Sequence, residues 1–190
     1  MKKALRIPPA IQQKQAIFKM LGAMDIVAER EHTFDWMKAP KPFDADADIG
    51  RIAAALSAYR GYRDFPKSKT PSCDFYLPAL EAIIEYDERQ HFTIPRAIAL
   101  RCYPEIRLGF DKQRWITICE RVHARDNDPV YRDEQRALYD SVRDIFAARH
   151  GLVMFRVIDG DADYTEMRPA EFRCSLEAML KSISGNDKGG

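Results

Sequence analysis

Three carboxylates and an adjacent Gln-His pair are the residues of this chain best placed to do chemistry, all within CDFYLPALEAIIEYDERQHF, residues 73 to 92. Asp74 stands early in one apolar run, Glu85 and Asp87 close a second, and Gln90 and His91 follow just past it. Carboxylates brought close together repel and raise one another's pKa, so they share a site mainly when a hard divalent cation neutralises them. An all-oxygen set suits Mg²⁺ (or Mn²⁺) better than Zn²⁺. His91 could position a water, act as a general acid or base near neutral pH, or touch phosphate, and the sequence leaves these open. The plainer alternative is that all three acids are solvated charges on an edge hairpin.

Two short strands must position these groups. Phe75, Tyr76 and Leu77 are β-formers closed by Pro78, and residues 82 to 87, AIIEYD, form the second run. Alternation puts Ile83, Glu85 and Asp87 on one face and Ala82, Ile84 and Tyr86 on the other. If the runs pair as a hairpin through LPAL, Asp74 lies near the end that carries Glu85 and Asp87, and three carboxylates converge.

An acidic residue in one strand, then a strand ending in Glu85-x-Asp87, then Gln90-His91-Phe92 resembles the PD-(D/E)XK nuclease superfamily, in particular its very-short-patch-repair endonuclease-like branch. A helix bearing Arg132, Asp133 and Arg136 that leads through Gly151 into LVMFRVI resembles the same branch. Two departures stand out: Asp87 occupies the family's lysine position, and Glu88 replaces the usual glycine. The resemblance covers about residues 72 to 92 and 129 to 158. It implies an α/β, restriction-endonuclease-like mixed central sheet flanked by helices. It also implies a Mg²⁺-dependent endodeoxyribonuclease with Asp74, Glu85 and Asp87 around the metal, DNA as the partner and, by analogy alone, a homodimer. The alternative is a catalytically degraded module of the same fold that binds nucleic acid or a protein.

The whole chain narrows these options. Its 190 residues suit one domain, 1–184, with 93–128 as a helical insertion and 185–190 as a disordered tail. The net charge of +1 gives no overall basic field, so a nuclease would need a local one. Arg60, Arg63, Lys67 and Lys69, interleaved with aromatic residues, form the densest basic stretch. With Arg132 and Arg136 they are the candidates for phosphate contact, against ordinary surface pairing. Four cysteines without a CxxC pair, no signal peptide and no transmembrane run read as a cytoplasmic protein with reduced thiols and no membrane partner.

Helices are expected at about 10–21 (apolar face Ile11, Ile17, Phe18 and Leu21, ended by Gly22), over DADADIGRIAAALSAYRGYRDF (residues 44–65), from Pro95, and over DKQRWITICERVHAR. Two more are expected from Pro129 to Gly151 and from Pro169 to Ile183. A strand is expected over Ile26–Phe34. Glu29 or Glu31 on it could stand in for an acid absent from the first helix, with surface charges as the simpler reading.

Overall fold

The computed structural model describes residues 10–61 and 70–184. Six helices surround one mixed four-stranded sheet: α1 (Ala10–Ala23), β1 (Glu29–His32), α2 (Ala47–Arg60), β2 (Cys73–Leu77), β3 (Ala82–Asp87), α3 (Ile94–Arg101), α4 (Lys112–Val122), α5 (Arg132–Arg149), β4 (Val153–Ile158) and α6 (Pro169–Ser184). The sheet order is β1-β2-β3-β4, with the first two pairings antiparallel and β3 parallel to β4. No helix among the described residues is long and apolar enough to cross a membrane.

Alternation along β3 sets the two layers. Ile83 faces a core built with Met154 and Ile158 of β4 and with residues of α2 to α5. Ile84 and Tyr86 face a second core with Phe155, Ile17 and Leu21 of α1, and Phe172 and Leu176 of α6. All six residues of β3 are buried, as expected for a strand covered on both faces. Residues 93–128 are part of the first core: Ala97, Leu100, Trp115 and Cys119 are buried in it. That segment therefore packs the fold's interior. The loop before α4 lies against β4 through a bridge between Gly109 and Phe155. A Cβ at Gly109 would sit 2.5 Å from the Met154 carbonyl oxygen, so only glycine allows that approach.

Several element boundaries differ from expectation for identifiable reasons. β1 spans Glu29–His32 rather than Ile26–Phe34, and a left-handed Glu31 (φ 51°) within it interrupts the register, which pairs Arg30 with Phe75 and His32 with Cys73. Asp25, not Gly22, supplies the left-handed residue after α1, and the Ile26 N–H caps back to the Leu21 carbonyl. Ile11 and Phe18 of α1 are exposed, and Met20 joins Ile17 and Leu21 in the core instead. Asp46 caps α2 by accepting the Asp48 and Ile49 N–H groups, and Thr93 and Asp111 do the same for α3 and α4. α5 begins at Arg132, three residues later than expected, after a left-handed Tyr131. Pro8, Pro9, Arg63, Lys67, Lys69 and the 185–190 tail lie outside the described residues.

Candidate functional site

β2 and β3 stop pairing as a regular ladder at Phe75↔Ile84, and side chains take over from there. The Tyr86 N–H donates to Asp74 Oδ2 at 2.9 Å, and the Asp74 N–H donates to Glu85 Oε1 at 3.1 Å. Each carboxylate thus holds a main-chain group of the opposite strand, and Asp74 and Glu85 are fixed beside one another. Asp74 is partly exposed and Glu85 is buried.

Lys14, which the sequence reading passed over, completes this end of the site. Its ammonium lies 2.8 Å from Asp74 Oδ1, 3.9 Å from Glu88 Oε1 and 5.9 Å from the Tyr86 ring centre. The neighbouring Gln13 is buried, donates to Asp163 at 3.0 Å and accepts the Tyr164 N–H at 2.7 Å, which pins α1 and so aims Lys14.

Behind the pair lies a buried ionic network. Arg156 stands opposite Glu85 in the β3–β4 register. It donates to Asp87 Oδ1 at 2.6 Å and Asp144 Oδ1 at 2.9 Å, and comes within 3.5 Å of Asp140. Arg143 pairs with Asp140, lies 3.5 Å from Glu85 Oε2 and donates to the Ser72 carbonyl at 3.1 Å. Arg96 and Tyr103 close the far end on Asp144, each at 2.7 Å. Arginine's planar fork suits such buried multidentate pairing.

Asp87 belongs to this network and not to the Asp74–Glu85 pair. Its second oxygen accepts the Trp115 indole N–H at 2.7 Å, and its carboxylate is closed off from solvent. The expected convergence of three carboxylates is therefore two plus one. Among the described residues no group of three or more His, Cys, Asp or Glu side chains is arranged to hold a metal ion.

His91 Nδ1 sits 3.4 Å from Asp87 and 3.5 Å from Asp140. These are ion-pair distances without hydrogen-bond alignment: His91 Nδ1, Asp140 Oδ2 and Arg143 Nε are buried atoms that lack a bonded partner. Gln90 is exposed and donates to Glu88 at 3.3 Å. Of the described arginines expected to meet phosphate, Arg60 is held by Asn127 at 3.0 Å and Glu134 at 3.2 Å. Arg132 is held by Asp126 at 3.0 Å and by the Asp128 carbonyl at 2.7 Å. Arg136 is bound to the Gln90 carbonyl at 2.8 Å and to Asp126 and Asp133 at 3.3 Å. All three organise the chain around α5. Glu29 pairs with His32 on the sheet edge.

The charges respond to these surroundings. Burial pushes Glu85 up to about 7; Arg143 and Arg156 pull it back, while Asp74 and Asp140 add to the rise. Burial would also raise Asp87, but Arg156 and His91 override it and hold the group at about 2. Burial would lower His91, but Asp140 and Asp87 raise it to about 9, which favours the imidazolium at neutral pH.

A pH profile follows from these signs. Glu85 and His91 both have folded values above their ordinary ones of 4.5 and 6.5, so each contributes stability at low pH that is lost as pH rises, through about 7 and about 9 respectively. Asp87, depressed from 3.8, contributes stability above that value that is lost as pH falls through about 2. The melting temperature is expected to fall in two steps between pH 5 and 9.5. In calorimetric scans Glu85→Gln should abolish the first step and keep the second; an unchanged profile would contradict the assignment.

No protein-family profile, curated protein or solved structure matches the chain.

Proposed function

We propose that this protein is a metal-dependent nuclease of restriction-endonuclease-like fold that hydrolyses phosphodiester bonds in DNA. The observation that carries the reading is the Asp74–Glu85 pair: two carboxylates fixed together by reciprocal main-chain bonds where two strands part, with Glu85 raised to about 7. Holding them together costs electrostatic energy that a divalent cation would relieve. A mixed sheet with helices on both faces is the fold class that the resemblance implies.

The donor set is of the kind that takes Mg²⁺ or Mn²⁺: it is all oxygen and partly open on the Asp74 side. Asp74 and Glu85 would hold the cation. When bound, such an ion polarises a phosphoryl oxygen and acidifies a water. This chain's own contribution is positional. Glu85 gives up its proton near neutrality, the Asp74 N–H keeps one of its oxygens aimed, and the Lys14 ammonium presents a positive charge beside Asp74 where an anionic phosphate would lie. His91, Arg143 and Arg156 hold Asp87 and Asp140 ionised behind the pair.

A second reading, a degraded site that only binds nucleic acid or a protein, is favoured by one observation: Lys14 and Arg143 already supply cations to Asp74 and Glu85. Thermal melting with Mn²⁺ separates the two. Ligand at about 100 times its dissociation constant stabilises by about 2.7 kcal/mol. The wild type should therefore melt several degrees higher with millimolar Mn²⁺, and Asp74→Asn should not respond. An unresponsive wild type would remove the metal site and leave the binding module.

A further inference from the structure

Two adjoining hollows at the C-terminal end of β3 and β4 are not used by anything described above. The larger, about 650 Å³, is lined by Arg89, Arg114 and Arg121, with Phe92, Ile118 and Ile158 almost wholly buried behind them. The smaller, about 500 Å³, adds Arg125 and Glu88, and the two share Arg89, Val122 and Asp159. Volumes of this size take small organic ligands or one unit of a polymer. Glu88 ties the hollows to the candidate site, because Lys14, the partner of Asp74, lies 3.9 Å from its carboxylate.

The charges in this cleft are unevenly satisfied. Asp161 is taken by Arg114 at 2.6 Å, and Asp159 accepts the Tyr86 hydroxyl at 2.6 Å. Among the described residues Arg89 and Arg121 are exposed and have no ion-pair partner, and Arg125 has a polar side-chain contact with His123 at 3.4 Å and no ion pair. Exposed guanidinium groups without ion-pair partners along a cleft suit an anionic group such as a phosphate. Arg60, Arg132 and Arg136, by contrast, are spent on internal partners.

We infer that this cleft grips a nucleic-acid strand beside the candidate site, with Arg89 and Arg121 on backbone phosphates. The inference takes nucleic acid as substrate from the proposed function but does not depend on the metal pair. Phosphate contacts supply affinity and salt dependence.

The test is fluorescence anisotropy of a labelled single-stranded DNA 12-mer in EDTA, so that cleavage and metal binding play no part. The double variant Arg89→Glu/Arg121→Glu changes two exposed side chains, and its melting temperature checks that it is folded. Its dissociation constant should rise tenfold or more, and its log–log salt slope should flatten by about one unit per arginine. Arg30→Glu, an equally exposed charge on the opposite sheet edge, should change affinity less than twofold. Unlabelled AMP at equal phosphate concentration should displace little of the strand. Unchanged binding in the double variant, an equal loss in Arg30→Glu, or full displacement by AMP would each overturn the inference, the last by making the cleft a free-nucleotide site. Loss of Mn²⁺ response with intact strand binding would sink the nuclease reading and leave this one standing.

Discussion

Replacing Arg156 with methionine is expected to destabilise the fold by about 3–5 kcal/mol, the cost of removing one partner from a buried ion network. Arg156 is almost wholly buried and is the common partner of Asp87, Asp140 and Asp144. Methionine fills much of the volume but leaves three buried acids with fewer cations. Some would have to protonate or draw in water, and either costs free energy. Asp87 and Asp140 would both feel it, because Arg156 is for each the strongest influence lowering its pKa against burial. Urea unfolding should show the lowered midpoint, with the loss easing in acid, where the orphaned acids take up protons. Adding Asp144→Asn to Arg156→Met should recover part of the stability, since the pair is then removed together. A loss under about 1 kcal/mol would mean that the network is solvated and that its arginines do not organise the core.

The hairpin was legible because its signal is local. Alternation over residues 82–87 assigned Glu85 and Tyr86 to opposite faces, and the spacing back to Asp74 placed the two carboxylates together. The fate of Asp87 was not legible, because its partners, Trp115 and Arg156, arrive from 28 and 69 positions away. A weaker signal was present nonetheless. Arg156 interrupts an otherwise apolar strand, and Asp140 and Asp144 fall beside Ala137, Ser141 and Ile145 on α5 where a purely solvated acid would be out of place. An arginine in a buried strand needs acids, and those two stand at the right helical interval to supply them. Lys14 could not be found by pattern: it sits one residue from a buried glutamine on a helix whose apolar stripe is short. Arg60, in the basic stretch, illustrates a different limit. Density of charge along the sequence does not say which side chains are free, and Arg60 is spent on Asn127 and Glu134.

Glu85→Gln is expected to lower metal-dependent DNA cleavage by roughly 100-fold or more, the scale seen when a charge-stabilising group is taken from an active site. The variant keeps the side chain's shape and an oxygen for the Asp74 N–H, while removing the charge that would hold a cation. It also removes a buried ionisable group with a raised pKa, so the protein should fold at least as stably at pH 8 as the wild type. Loss of activity together with retained stability is the pattern of a functional site.

The most direct measurement is therefore cleavage of plasmid and single-stranded DNA in Mg²⁺ or Mn²⁺, with wild type, Glu85→Gln and an EDTA control side by side. Cutting by the wild type that EDTA stops and Glu85→Gln lacks is the result expected of a metal-dependent nuclease. Wild-type protein that is folded, cuts neither substrate with either metal and shows no melting response to Mn²⁺ would contradict it.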